Sequence, residues 1–191
     1  MLYQLSLLTK TSPVINEIYG QLQAIKLARL SARTSTICAL TGLPQRKVKE
    51  IILAISKRAP PKGRAIENLD DYIKNKKHRR HVSFIIQTYR KGISLGLNHV
   101  EAIIQSYMLY QETLVESFSD PRSYVDIDHA YFLIQETNKG IEFDLSECSC
   151  CKSKFFYSKY ELPLICPVCT DRREQKQIHK DEVQEQIEKA A

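Results

Sequence analysis

The chain has 191 residues, 43% of them hydrophobic, and a formal net charge of +6. That content suits one medium domain or a domain with a small appendage, and it excludes wholesale disorder. The positive balance favours an anionic partner such as nucleic acid. Met1-Leu2-Tyr3-Gln4-Leu5-Ser6-Leu7-Leu8 has neither a basic n-region nor a small-residue cleavage site. No apolar run approaches the roughly 20 residues a membrane span needs, so a soluble protein with no membrane partner is expected.

Apolar residues recur at helical spacing from the start of the chain. Val14, Ile18, Leu22 and Ile25 share one face of a predicted first helix, with Ser12-Pro13 suited to its first turn. Thr34 to Ser56 reads as a helix-turn-helix. The small Cys38 permits close packing, Gly42 takes the turn, and Pro44 suits the first turn of the second helix. Leu43, Val48 and Ile51 are expected to fill the interface. With Val48, Ile51, Ile52 and Ile55 inside, the opposite face carries Gln45, Arg46 and Lys49. Such a face suits a DNA major groove, where Arg pairs with guanine and Gln with adenine. Lys57, Arg58, Lys62 and Arg64 follow as candidate phosphate contacts. A helical hairpin with a solvated basic side is the plainer alternative.

Pro60-Pro61-Lys62-Gly63 breaks helix, and Lys74 to His81 forms a dense positive block. Clustered Lys and Arg there give either a sequence-independent electrostatic contact or a solvated helix start. Val82, Ile85, Ile86 and Tyr89 make one apolar stripe. Asn98 is placed to cap the next helix with Glu101 reaching back, and Val100, Ile103, Ile104, Tyr107 and Met108 are expected on its buried face. Ile127, Ala130, Tyr131 and Ile134 give a further stripe, stopping near Gly140.

The most informative spacing comes last: Cys148-Ser149-Cys150-Cys151, fourteen residues, then Cys166-Pro167-Val168-Cys169. Two knuckles of this kind supply four sulfurs to a tetrahedral Zn²⁺, with Cys148, Cys151, Cys166 and Cys169 as ligands. Lys154 to Tyr160 suits short strands between them, as in a zinc ribbon, and Lys152, Lys154 and Lys159 are candidate phosphate contacts. Cys150 is left over and is expected to be a small buried filler, while Cys38 reads as an apolar helix residue. The alternatives are paired disulfides or a redox dithiol, but a redox CxxC needs a βαβ context that the sequence does not offer. Zinc-spaced cysteines without an export signal predict a reducing compartment, the cytoplasm.

No glycine-rich phosphate loop, GxSxG elbow or HExxH is present, and four thiolates would leave zinc closed to substrate, so no enzyme is expected. The predicted fold is mainly α: a helical domain over 1–144 containing the helix-turn-helix, a four-cysteine zinc-ribbon-like module over 145–172, and a charged tail over 173–191.

Across nearly its whole length the chain resembles the flagellar transcriptional activator subunit FlhC family. The resemblance is carried by Leu145-Ser146-Glu147-Cys148-Ser149-Cys150-Cys151 with Cys166 and Cys169 following, by Pro60-Pro61-Lys62-Gly63, and by the helix Val100 to Tyr110. It implies a DNA-binding activator of flagellar or motility operons that assembles with a small helical partner, FlhD, on promoter DNA and recruits RNA polymerase. It implies zinc on the same four cysteines. The rival expectation is a zinc-stapled adaptor that binds protein alone.

Overall fold

The computed structural model describes residues 13–57, 69, 72, 74–115, 124–160 and 165–172. Arg58, Lys62, Arg64, the Pro60–Gly63 segment and the 173–191 tail therefore lie outside the described residues. Helices dominate: α1 (Pro13–Arg29), α2 (Thr34–Thr41), α3 (Gln45–Ser56), α4 (Lys76–Ser94), α5 (His99–Tyr110) and α6 (Ile127–Lys139). A wider π turn, Gln111–Val115, continues α5. One antiparallel pair, β1 (Phe143–Glu147) and β2 (Lys154–Ser158), follows in register Leu145↔Phe156, and residues 167–172 are helical. This is the mainly α architecture with a cysteine module that the sequence predicts.

The expected core stripe of α1 is corrected by the structure. Val14, Ile18 and Leu22 remain 63%, 54% and 53% exposed. The buried face is Gly20, Gln23, Ala24, Leu27 and Ala28. Small residues win that face because the neighbouring chain comes close: a Cβ on Gly20 would stand 3.3 Å from the carbonyl oxygen of Thr41.

The helix-turn-helix forms as the residues dictate. Gly42 adopts φ 70°, and its N–H donates to Cys38 O at 2.9 Å. That left-handed residue ends α2 at little steric cost. Pro44 sits just before α3 with φ −66°, in the cap position, where its missing N–H is no loss. Ile37, Leu43, Val48 and Ile52 are buried between the two helices and the core, while Cys38, Ile51 and Ile55 are half-buried against it. A distant carboxylate fixes this unit to the rest. Asp128 of α6, itself buried, accepts the Arg33 N–H at 3.0 Å just ahead of α2 and pairs with Arg33 Nε at 3.6 Å.

The central pair is α4 with α5, close at Gly92, where a Cβ would meet Ala102 Cβ of α5 at 3.4 Å. Asn98 caps α5 by accepting the Glu101 N–H at 3.0 Å, and Glu101 reaches back to the Asn98 amide at 2.8 Å. Met108, expected inside, is 39% exposed, and Tyr110 takes the buried place. Tyr110 has a polar reason to be there: its hydroxyl accepts the Val125 N–H at 3.0 Å and meets His81 Nδ1 at 2.7 Å. Burial of His81 opposes its protonation. Gly140, at φ 62°, ends α6 as expected. Phe143 and Phe156 stack at 5.6 Å and join the helical core, so the two strands are packed into the body of the protein.

Candidate metal centre and nucleic-acid face

The sulfurs of Cys148, Cys151, Cys166 and Cys169 all lie within 4.8 Å of one another. A tetrahedral Zn–S bond of about 2.3 Å requires sulfurs about 3.8 Å apart, and Cys151 and Cys166 stand at 3.6 Å. The first knuckle is closed by Cys148 N–H on Ser153 O at 2.9 Å and Lys152 N–H on Cys148 O at 3.0 Å, with Lys152 held at φ 62°. The second pair departs from a ribbon's strand-borne knuckle. Pro167 opens the helical run 167–172, and Cys166 precedes it, its sulfur accepting the Cys169 N–H at 3.4 Å.

The donor set fits a cation. Burial opposes ionisation of Cys148, yet backbone N–H groups of Cys166, Cys151 and Cys150 outweigh it and hold the thiol down to about 6. The Ser153 hydroxyl, 2.9 Å from Cys151 Sγ, lowers that thiol as well. Cys169 moves the other way, to about 12, because Cys151 is hydrogen-bonded to it and burial adds to the effect. Four sulfurs this close cannot all ionise without positive charge among them, and a metal ion supplies that charge. Cys150 does not fill the interior as expected: it is exposed on the knuckle. Cys148 and Cys151 bring their sulfurs to the cluster across a tight turn, and Cys150 within that turn stays at the surface.

What holds the module to the helices was missed in the sequence. Among the described residues the outer edge of β2 has no strand beside it, and α4 supplies side chains in its place. Arg79 Nε donates to Phe156 O at 2.7 Å, the Phe156 N–H donates to Ser83 Oγ at 2.9 Å, and Gln87 Nε2 donates to Lys154 O at 2.9 Å. Residues 79, 83 and 87 form one helical column, so the spacing was legible once the edge strand was known. Arg79 also lies 5.1 Å over the Phe155 ring, and Lys76 and Arg80 both pair with Asp171. The positive block therefore serves the module: Arg79 and Arg80 are engaged, and His81 is buried. Of the lysines on the module, Lys152 pairs with Glu147 at 3.8 Å and Lys159 donates to Gly140 O.

The other candidate face is α3. Gln45, Arg46 and Lys49 are exposed together on it, and Lys57 follows as its exposed left-handed cap. Arg46 pairs with Glu50 one turn on, Nε to Oε1 at 3.2 Å. No acidic partner for Lys49 or Lys57 occurs among the described residues.

A helical protein with a helix-turn-helix and a four-cysteine cluster able to hold a metal ion is the class these features define. Among the described residues no helix is long and apolar enough to cross a membrane. The chain matches the model of the flagellar transcriptional activator (FlhC) family over residues 9–180. It is 27% identical over 150 residues to the flagellar transcriptional regulator FlhC of Pectobacterium carotovorum, covering 76% of each chain. The chain belongs to the flagellar transcriptional activator (FlhC) family.

Proposed function

We propose that this protein is the DNA-contacting subunit of a cytoplasmic hetero-oligomer that activates flagellar or motility operons. In this reading α3 enters the major groove with Gln45, Arg46 and Lys49 toward base edges and Lys57 toward phosphate. Arg58, Lys62 and Arg64 continue the phosphate contacts. Zn²⁺ on Cys148, Cys151, Cys166 and Cys169 shapes the C-terminal end, and a small helical FlhD-like subunit is the partner. RNA polymerase is recruited to the assembled complex.

The observation that carries the reading is an exposed recognition-type helix on which Lys49 and Lys57 form no ion pair among the described residues. The partner is supported by α1, where Val14, Ile15, Ile18, Tyr19 and Leu22 stand 38–63% exposed in adjoining helical columns. A stripe of this kind suits the apolar face of another helix.

The test is a mobility-shift titration on promoter DNA, with and without the partner, across salt concentrations. Sequence-preferring, steeply salt-dependent binding by the complex is expected. Tight partner binding with no DNA preference in any combination would instead make the protein an adaptor.

A further inference from the structure

Near the cysteine module Lys76, Arg80 and Lys152 have acidic partners, and two cations without one among the described residues line a single groove. An open groove of about 540 Å³ runs between α4 and the strand pair, lined among others by Phe84, Gln87, Arg90, Lys91, Leu145 and Lys154. Lys91 and Lys154 are exposed and have no acidic partner among the described residues. Glu147, the cross-strand neighbour of Lys154, pairs with Lys152 instead. Arg90 is tied by one amino group to Asp144 at 2.7 Å and keeps its other N–H donors. Counting Arg90, Lys91 and Lys154 against Asp144 leaves the groove net positive by two.

The two lysines come from different elements, yet their separation is fixed, because Gln87 of α4 holds the carbonyl of Lys154 at 2.9 Å. The hydroxyls of Thr88 and Ser94 donate to backbone carbonyls of α4 and so are not donors to a ligand. The groove thus offers flexible ammonium groups at its rim and apolar side chains, Phe84 and Leu145, at its floor. That combination suits a sugar-phosphate backbone and carries no means of reading bases.

We infer that this groove is a second DNA contact on the chain, taking phosphates of duplex DNA at Lys91 and Lys154. The inference rests on the DNA-binding reading of α3 and extends it. Because α3 packs on α1 and α2 whereas the groove is built on α4 and the strands, the two contacts are separate. One chain then covers more duplex than a recognition helix alone.

The test compares the wild-type complex, assembled with its partner, with Lys91→Gln, Lys154→Gln and the double variant. Affinity is measured against salt, and backbone protection is mapped by hydroxyl-radical footprinting. Each single substitution is expected to lower the log–log salt slope by about 0.9, the value for one phosphate contact in B-DNA. Affinity should fall to a similar extent on operator and on unrelated duplex. The double variant should lose protection in one part of the footprint that Gln45→Ala retains. Both lysines are exposed, so unchanged metal content and thermal midpoint serve as controls for folding.

If the wild type binds DNA and the double variant keeps the same slope and footprint, the groove is not a DNA contact. If the double variant binds DNA normally but fails to activate transcription, the groove takes an acidic protein surface and the inference is equally overturned. Absence of DNA binding by the wild type would instead sink the reading of α3.

Discussion

The two ends of this protein use their charged residues in opposite ways. At the cysteine module, Lys76, Arg79 and Arg80 face inward onto Asp171, a carbonyl and an aromatic ring, and hold the strand pair to α4. At the helix-turn-helix, packing is apolar and close, and Gln45, Lys49 and Lys57 are left facing solvent. A dense positive block therefore marks an internal contact here, while the sparser cations on α3 stay exposed. Charge density along the sequence is a poorer guide than which charges the fold has already neutralised.

Metal removal gives the largest contrast between the ends. Structural zinc in small modules contributes roughly 10–16 kcal/mol of apparent free energy. Chelation, or Cys166→Ser, is expected to abolish amide protection over residues 143–160 and 165–172 while α2 and α3 keep theirs, as read by hydrogen exchange. Elemental analysis should find one zinc per chain. Equal loss at both ends would erase the distinction drawn here.

Next comes Arg79→Ala. A charged hydrogen bond to a carbonyl is worth about 1.5–3 kcal/mol and an exposed cation–π contact about 0.5–1. Loss of about 2–4 kcal/mol is expected in denaturant unfolding, with lower metal affinity because the module is less firmly seated. At the other end, Gly20→Val should cost about 1–3 kcal/mol, since the new side chain meets the Thr41 carbonyl, which cannot turn aside. Its metal content should not change.

A pH series sharpens the picture for the core between them. Burial lowers the pKa of His81 below the ordinary 6.5, with His78 and Arg80 adding to the effect, and burial lowers His99 likewise. The unfolded chain then binds protons that the folded chain refuses, so the contribution of these two histidines is flat well above pH 6.5 and stability is lost as pH falls through that value. His81→Gln should make that fall shallower in urea titrations at pH 7.5 and 5.5. Smallest in stability is Arg46→Ala, about 0.3–0.5 kcal/mol for an exposed pair one turn apart. Its expected effect lies in recognition, a loss of about 1–3 kcal/mol of discrimination between operator and base-substituted sites. An unchanged preference would remove Arg46 from the readout.

Much of this was legible before any coordinates. The cysteine spacing, the turn at Gly42, the cap at Asn98 and the stop at Gly140 are local features, each set by the geometry of a few neighbouring residues. The α4 stripe of Val82, Ile85, Ile86 and Tyr89 also falls in the core as its spacing implies. Where periodicity misled, two faces of one helix were both apolar or both small. Helix α1 carries larger hydrophobes outside and Gly20, Ala24 and Ala28 inside, because close approach to its neighbours outweighs side-chain size. Tyr110 is buried for a different cause, its hydroxyl meeting a buried histidine and a backbone N–H, while Met108 is left exposed.

The sequence by itself determined the elements, the turn chemistry and which four sulfurs converge, since these depend on contacts within a few residues or on rigid knuckle spacing. Only the tertiary structure decided which face of α1 is buried, which cations are neutralised, and how β2 is covered. Those outcomes depend on residues far apart in the chain, such as Gln87 with Lys154, 67 positions apart, and Arg80 with Asp171, 91 apart. No local pattern encodes such pairs, because the partner exists only once the chain has folded back on itself.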